Sequence, residues 1–517
     1  MHLSEIAKRT PEAPAVIMAD GSAVTTFAEL DRRSLQVARL LHGHGVGTRD
    51  RIAILMPNRP EYFEIAWGAQ RLGTYWVPVN WHLTADEVGY IVADSGAQVL
   101  FASPETAEIA AAIVANSPAV RAAYVVGPER PGLASYARAI AAQSATPLDN
   151  ETEGMTFFYS SGTTGRPKGI RRSHDFPSFG TGLALDHLMG LVFGFNSDAV
   201  YLCPAPLYHA APIGWAMGTH RNGGAVVLMP RFDATECLRA IERHRVTHAQ
   251  FVPTHFVRML KLTQAERDAF ELSSLKMVIH AAAPCPADVK RQMIDWLGPK
   301  LLEYYAGSEG NGITIISSEE WLEHPGSVGR ALGSVVHIVG EDGEELPVGD
   351  DGFIYFEGGA FEYHNDPVKT ANAVNDRGWS TLGDIGHLDA EGYLYLADRR
   401  TDLIISGGVN IYPAEIEEAL IMHPAVADVA VIGMPDLEMG QSVLAIVQLA
   451  AGDGAGAAAV SDATDRAALA AELLAHCRSR LASFKCPRSV EFVSEIPRLP
   501  TGKLLRRRLR EERQQAG

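Results

Sequence analysis

Polar and apolar positions change period repeatedly along this chain. Thr26-Phe27-Ala28-Glu29 has the form of a capping box and opens an amphipathic stretch that predicts a helix to about Leu41. Arg51–Met56 is a short apolar run of strand length. Thr84-Ala85-Asp86-Glu87 opens a second helix, which Gly96 stops, and Gln98–Phe101 reads as the next strand. Further short apolar runs lie at Ala225–Met229, Leu275–Ile279 and Phe353–Phe356. This alternation predicts an α/β protein with largely parallel sheets. No internal repeat is visible.

The pattern breaks most clearly after Tyr393–Ala397, where the polar string Asp398-Arg399-Arg400-Thr401-Asp402 follows a strand-like run. Beyond it Pro413–Leu420 reads as a helix and Val429–Ile432 as a strand, and Ala450–Ala459 is an Ala/Gly stretch that predicts a loop. A large domain at about 1–397 and a small one at about 402–517 are expected, joined at 398–401. At 517 residues the chain exceeds what one hydrophobic core organises.

Composition narrows the function. Charged residues make up 21% and hydrophobic ones 47%, an ordinary globular balance. The best apolar run, Leu183–Phe195, is broken by Asp186 and His187, so no membrane span is expected. The N-terminus lacks a basic segment followed by an apolar one, which predicts a cytoplasmic protein. Five scattered cysteines without a CxxC pair argue against a disulfide frame and a zinc site. His244, His248 and His255 lack an acidic third ligand at matching spacing. A formal charge of −17 disfavours nucleic acid.

The densest chemistry is YSSGTTGRPKG at 159–169. Gly162, Gly165 and Gly169 permit positive φ and a close approach of phosphate to the backbone. Ser160, Ser161, Thr163 and Thr164 add hydroxyls, and Lys168 adds a compact cation. Pro167 before the lysine and Gly169 after it exclude a Walker A loop. This is a phosphate-binding loop of another kind.

Five stretches in order carry a resemblance: YSSGTTGRPKG, then EYYAGSEG (303–310), RGWSTLGD (377–384), DRRTDLIISGGVNIYPAEIE (398–417) and PRLPTGKLLRR (497–507). Together they resemble the adenylate-forming superfamily of acyl-CoA ligases, luciferases and peptide-synthetase adenylation domains, closest to the acyl-CoA ligases. The resemblance implies a large domain of doubly wound sheets with a small β-barrel-like part, and a small mobile α+β C-terminal domain. It implies ATP, Mg²⁺ and coenzyme A, and it is compatible with a homodimer. A carboxylate would be joined to AMP with loss of pyrophosphate, and a thiol would then displace AMP.

Roles follow by the same resemblance. The loop Ser160–Lys168 would hold the β- and γ-phosphates. Glu309 would bind Mg²⁺ with Thr163 or Thr164. Tyr305 would stack on adenine, with Ala282, Ala283 and Pro284 on the other face. Ser308 would sit near the α-phosphate. Asp384 and Arg399 would reach the ribose. Lys503, set apart by Gly502, would bridge the carboxylate and the α-phosphate in the transition state. The small domain would rotate at Thr401, bringing Gly407 and Gly408 to the coenzyme A arm. Thr401, Leu382 and Ala306 depart from the usual residues.

The acid would lie between APLYHAAPIGWAMG (205–218) and VIHAAAPCP (278–286). His209, as a gate, with Trp215, Met217, Gly218, His280, Ala281, Gly307 and Asn311, is the expected lining. These stretches hold no lysine or arginine for a second acid group, and 205–218 holds no acidic residue for an amine. A hydrophobic monocarboxylic acid is expected: fatty, aryl or a steroid side-chain acid. HAAAPCP with EYYAGSEG resembles bacterial ligases for bulky or alicyclic acids. Two rivals stand beside this reading, an acyl-AMP ligase loading a separate carrier protein and an inactive nucleotide- or acyl-binding protein.

Overall fold

The computed structural model describes residues 2–160, 167–359, 361–399, 402–406, 409–436, 439–450, 463–481, 483, 485–498 and 504–516. The expected α/β alternation is present. The first helix signal produces Phe27–Gly43, with the Thr26 hydroxyl accepting from Glu29 N at 3.2 Å. The second produces Ala85–Ser95, in which both halves of the capping box form and Gly96 ends the helix at φ +67°. Two strands start later than expected. Gln98 spends its side chain on Asp50, and the strand is Val99–Ala102. Leu275 closes a turn onto Leu272, and the strand is Met277–His280.

Two large sheets organise the N-terminal part. One joins six described strands, Arg51–Leu55 and Val99–Ala102 at its centre, all parallel. The other orders parallel strands Pro14–Met18, Ala225–Leu228, Val200–Cys203, His248–Phe251, Met277–His280 and Leu301–Ala306 side by side. Parallel strands buried on both faces need continuous apolar sequence, which is why these runs do not alternate. The expected barrel-like part is an antiparallel continuation of this second sheet, from Ile313–Ser317 out to Val335–Val339. It has its own small core of Val328, Val336, Ile338, Ile354, Phe356 and Leu394.

The small C-terminal part carries Val426–Asp436 and Gly440–Leu449 as an antiparallel pair, with Ser489–Val493 parallel beside them. It is tied to the large part by polar contacts. Lys261 Nζ donates to Ala427 O at 3.1 Å, and Ala287 N donates to Glu418 Oε1 at 2.5 Å. The Ala/Gly stretch at 450–459 falls almost wholly outside the described residues. No helix among the described residues is long and apolar enough to cross a membrane.

Candidate functional site

The glycine-rich loop is the tip of a hairpin. Phe158–Ser160 pairs antiparallel with Lys168–Arg172, Ser160 opposite Lys168 and Tyr159 opposite Gly169. A third strand, Phe361–Tyr363, closes the other edge. Ser161, Gly162, Thr163, Thr164 and Gly165 lie outside the described residues, and of Ser160 only the backbone is described. Gly169 is corrected: its φ is not positive. Instead, a Cβ there would sit 2.9 Å from Phe157 and 3.0 Å from His364 Cβ, so the glycine serves packing between neighbouring strands. Lys168 faces Asp366, Nζ to Oδ2 3.6 Å.

Beside the hairpin the motif EYYAGSEG leaves the large sheet. Arg172 donates through Nε and Nη2 to Ser308 O at 3.0 and 2.6 Å, which locks the turn that presents Ser308 and Glu309. Tyr363 OH donates to Glu309 Oε1 at 3.0 Å. Tyr305 OH donates to Asp384 Oδ2 at 2.6 Å, joining two motifs 79 positions apart. Leu382 packs on Gly307, where a Cβ would lie 2.4 Å from Leu382 Cδ1. That contact leaves no room for a side chain at position 307. Ala282 holds φ +79°, a left-handed backbone that a non-glycine residue adopts only under strain.

These groups share one cavity of about 2390 Å³. Its walls include Tyr305, Ser308, Glu309, Asp384 and the Ala282–Pro284 turn. From the small part, Glu417, Arg498 and Leu504 line the same space. His209, Trp215, Met217, Ala281, Gly307 and Asn311 line it too. His209 is the N-cap of helix Ala210–Arg221, and its ring lies tilted against Tyr208, centroids 4.4 Å apart.

Two expected lining residues are corrected. His280 does not reach the cavity. It is wholly buried behind the strand, 3.7 Å from Glu303 Oε2 and beside Phe256, and burial holds its imidazole well below the usual range, hence neutral. Gly218 turns the other way, and a Cβ would lie 2.2 Å from Met189 Sδ. It lets helix Ala184–Leu191 pack close. Of the other expected residues, Gly407, Gly408, Thr401 and Lys503 lie outside the described residues, and Arg399 falls in a strand of which only the backbone is described there.

Sequence reasoning missed several groups. Lys369 projects over the Tyr363 ring, Nζ 3.6 Å from its centroid, and lines the cavity. Burial, and then the charge of Lys168, push its amine down to about 8. Tyr304 and Gln250 line the acyl side. Arg221 also reaches the wall, but it is spent. It grips Glu153 through two bonds of 3.0 and 2.6 Å and contacts Asp186 at 3.0 Å. Arg221, Glu153 and Asp186 are thus paired with one another.

Among the described residues no three His, Cys, Asp or Glu side chains group as a metal site. His244 and His248 bond to Ala19 O and Phe193 O, and His255 stacks on Phe232. Of the two EYYAGSEG carboxylates on the cavity, Glu303 is held by Lys290 at 2.6 Å, and Glu309 stands beside the hairpin with Oε1 bonded to Tyr363. A lone carboxylate suits a hard cation that takes its remaining ligands from phosphate and water.

Comparison with known proteins gives two family matches. The AMP-binding enzyme family model matches residues 3–361, and its C-terminal domain matches 415–503. A feruloyl-CoA synthase of a Streptomyces species is 35% identical over 98% of this chain and 96% of its own length. The long-chain-fatty-acid–CoA ligase FadD13 of Mycobacterium tuberculosis is 33% identical, covering 99% of this chain and 97% of its own. The solved anthranilate CoA ligase AuaEII, in complex with anthranoyl-AMP, superposes with a TM-score of 0.83 at 26% identity, over 100% of this chain and 98% of that one.

Proposed function

This chain belongs to the AMP-binding enzyme family, on the acid–thiol ligase side of the adenylate-forming superfamily, and from that premise we propose that it joins a hydrophobic monocarboxylic acid to coenzyme A through an acyl-AMP. The observation that carries the reading is the single cavity shared by Tyr305, Ser308, Glu309 and Asp384 with Glu417 and Leu504 of the small part.

A carboxylate is itself the nucleophile toward the α-phosphate, so the protein supplies alignment and neutral charge balance rather than a base. The hairpin tip with Lys168 would hold the β- and γ-phosphates. Ser308 would meet the α-phosphate. Adenine would lie between Tyr305 and the Ala282–Pro284 turn. Asp384, which accepts from Tyr305, would also accept from the ribose diol. Glu309, with Thr164, would hold Mg²⁺, which supplies charge neutralisation on the phosphates. Lys503 would bridge the attacking carboxylate and the α-phosphate. The large domain would span 1–397 and the small one 402–517. Rotation about 398–401 would then withdraw the lysine and admit the thiol past Gly407 and Gly408.

The acid is read as hydrophobic and singly charged because Trp215, Met217 and Ala281 form the wall and the nearby Arg221 is already paired. His209 would close over the carboxylate. The test is a panel of fatty, aryl and alicyclic acids with ATP and coenzyme A. Acid-dependent pyrophosphate release with a thioester product is expected. Nucleotide binding without turnover would sink the proposal, and pyrophosphate release without thioester would move it to carrier-protein loading.

Asp384→Ala should raise the KM for ATP roughly tenfold or more, the weight of a hydrogen bond to a charged group. Wild type should then discriminate ATP from 2′-deoxy-ATP or 3′-deoxy-ATP, and the variant should not. Equal discrimination by both proteins would remove Asp384 from the ribose.

A further inference from the structure

One hydroxyl on the acyl side of the cavity has more donors than it needs. Tyr304 OH receives Gln250 Nε2 at 3.0 Å and Trp215 Nε1 at 3.3 Å. Gln250 is oriented by Tyr201, whose hydroxyl donates to its Oε1 at 3.1 Å. Tyr201 and Trp215 are fully buried, and Gln250 nearly so. A phenol oxygen has two lone pairs and one proton. Two N–H donors occupy the lone pairs, which leaves the proton to be given away. Among the described residues nothing accepts it. Burial pushes the phenol up to about 12, so the proton stays in place at every working pH.

The position of this donor matters. Tyr304, Trp215 and Gln250 all line the cavity with Met217 and Ala281, and the partners of Tyr304 are Trp215 and Gln250 where that of Tyr305 is Asp384. Successive residues of strand Leu301–Ala306 face opposite sides, so Tyr305 serves the nucleotide side and Tyr304 the acyl side. A plain hydrocarbon chain in this space would strip water from the hydroxyl and offer no acceptor. Leaving a buried polar group unmatched is what gives a hydrogen-bonding pocket its selectivity against the analogue that lacks the partner atom.

We infer that Tyr304 donates its hydroxyl proton to an oxygen on the body of the substrate, so the preferred acid is hydrophobic but oxygenated, carrying a keto, ether or hydroxyl group on its ring or chain. This rests on the acid-ligase reading above. It narrows the substrate class from any apolar acid to one with an acceptor atom remote from the carboxylate.

The test uses pairs of acids that differ by one oxygen: cinnamate with its 3- and 4-methoxy forms, cyclohexanecarboxylate with its 4-oxo form, and decanoate with its oxo forms. Pyrophosphate release gives kcat/KM for each. At least one oxygenated acid should exceed its parent by roughly ten- to a hundred-fold, and Tyr304→Phe should bring that ratio close to one. The substitution keeps the ring, and a wild-type-like melting curve verifies the fold. Trp215→Phe, which keeps the Tyr304 hydroxyl, should retain the preference in direction. No advantage for any oxygenated acid would overturn the inference while leaving the ligase reading intact. So would an equal loss on both members of each pair in Tyr304→Phe, which would put the hydroxyl on the carboxylate instead. No turnover with any acid would overturn both.

Discussion

Lys503→Ala should slow acyl-AMP formation by roughly 10²–10³-fold, the effect of losing one preorganised donor to developing charge. Thioester formation from supplied acyl-AMP and coenzyme A should survive. As the carboxylate oxygen approaches the α-phosphate, two anionic groups come together and pyrophosphate departs. A cation between them lowers the barrier to this step and has no place in the second, where a thiol attacks an acyl carbon. Leu504, the next residue in the chain, lines the same cavity as Ser308 and Glu309. Separate assays of the two half-reactions decide the matter. An equal fall in both would assign Lys503 to the fold or to both steps.

Arg221→Met should destabilise the protein by about 3–5 kcal/mol, the usual result of removing one partner from a buried ion pair. Arg221 is 3% exposed and Glu153 is fully buried. Glu153 also accepts from Gln70 Nε2 at 3.0 Å and from Gly180 N at 2.6 Å. Burial pushes the Glu153 carboxyl up, but Arg221 and these hydrogen bonds outweigh it and hold the group below its usual range. A carboxyl depressed in this way adds stability above its unfolded pKa, near 4.5, and loses it as pH falls through the folded value. Asp186 is the opposite case. Burial raises it despite Arg221, so its contribution is present below its unfolded pKa, 3.8, and is lost as pH rises through the folded value.

Without the guanidinium both carboxyls would shift upward, and the folded variant would hold protons that the unfolded chain releases. The variant should therefore gain relative to wild type as the solution is acidified. Thermal melting should show a deficit of several degrees at pH 7 that narrows at pH 5. A deficit that stays constant across this range, or none at all, would mean that the ion pair does not carry the packing around Trp67 and Phe179, over whose rings Arg221 lies.

How much of this was legible in the sequence varies with the range of the signal. Thr84 with Glu87 and Gly96 marked both ends of one helix because caps are local chemistry. Tyr305, Ser308, Glu309 and Asp384 were named from motifs, and all four meet in one cavity. His280 escapes a reading of its motif as a continuous wall, because a strand sends alternate side chains to opposite faces. Gly218 failed by helical geometry. Gly214 and Gly218 stand four apart and face helix Ala184–Leu191, where Leu185 and Met189 fill the space.

Arg221 with Glu153 is the other extreme. Their contact spans 68 positions, and no local pattern announces it. Tyr304 was hidden in plain view. It adjoins Tyr305, and only the strand's alternation and the distant Trp215 and Gln250 separate the two roles. Lys369 could have been suspected from DPVKT following the Phe361–Tyr363 strand, but its approach to Lys168 depends on how that strand pairs with the hairpin.

In the proposed reaction the acid's own oxygen attacks the α-phosphate of ATP. An acid labelled with ¹⁸O in both carboxyl positions, turned over with ATP and coenzyme A, tests it by mass spectrometry of the products. AMP carrying one heavy oxygen and unlabelled pyrophosphate are expected. Unlabelled AMP, or heavy oxygen in a released phosphate, would contradict it.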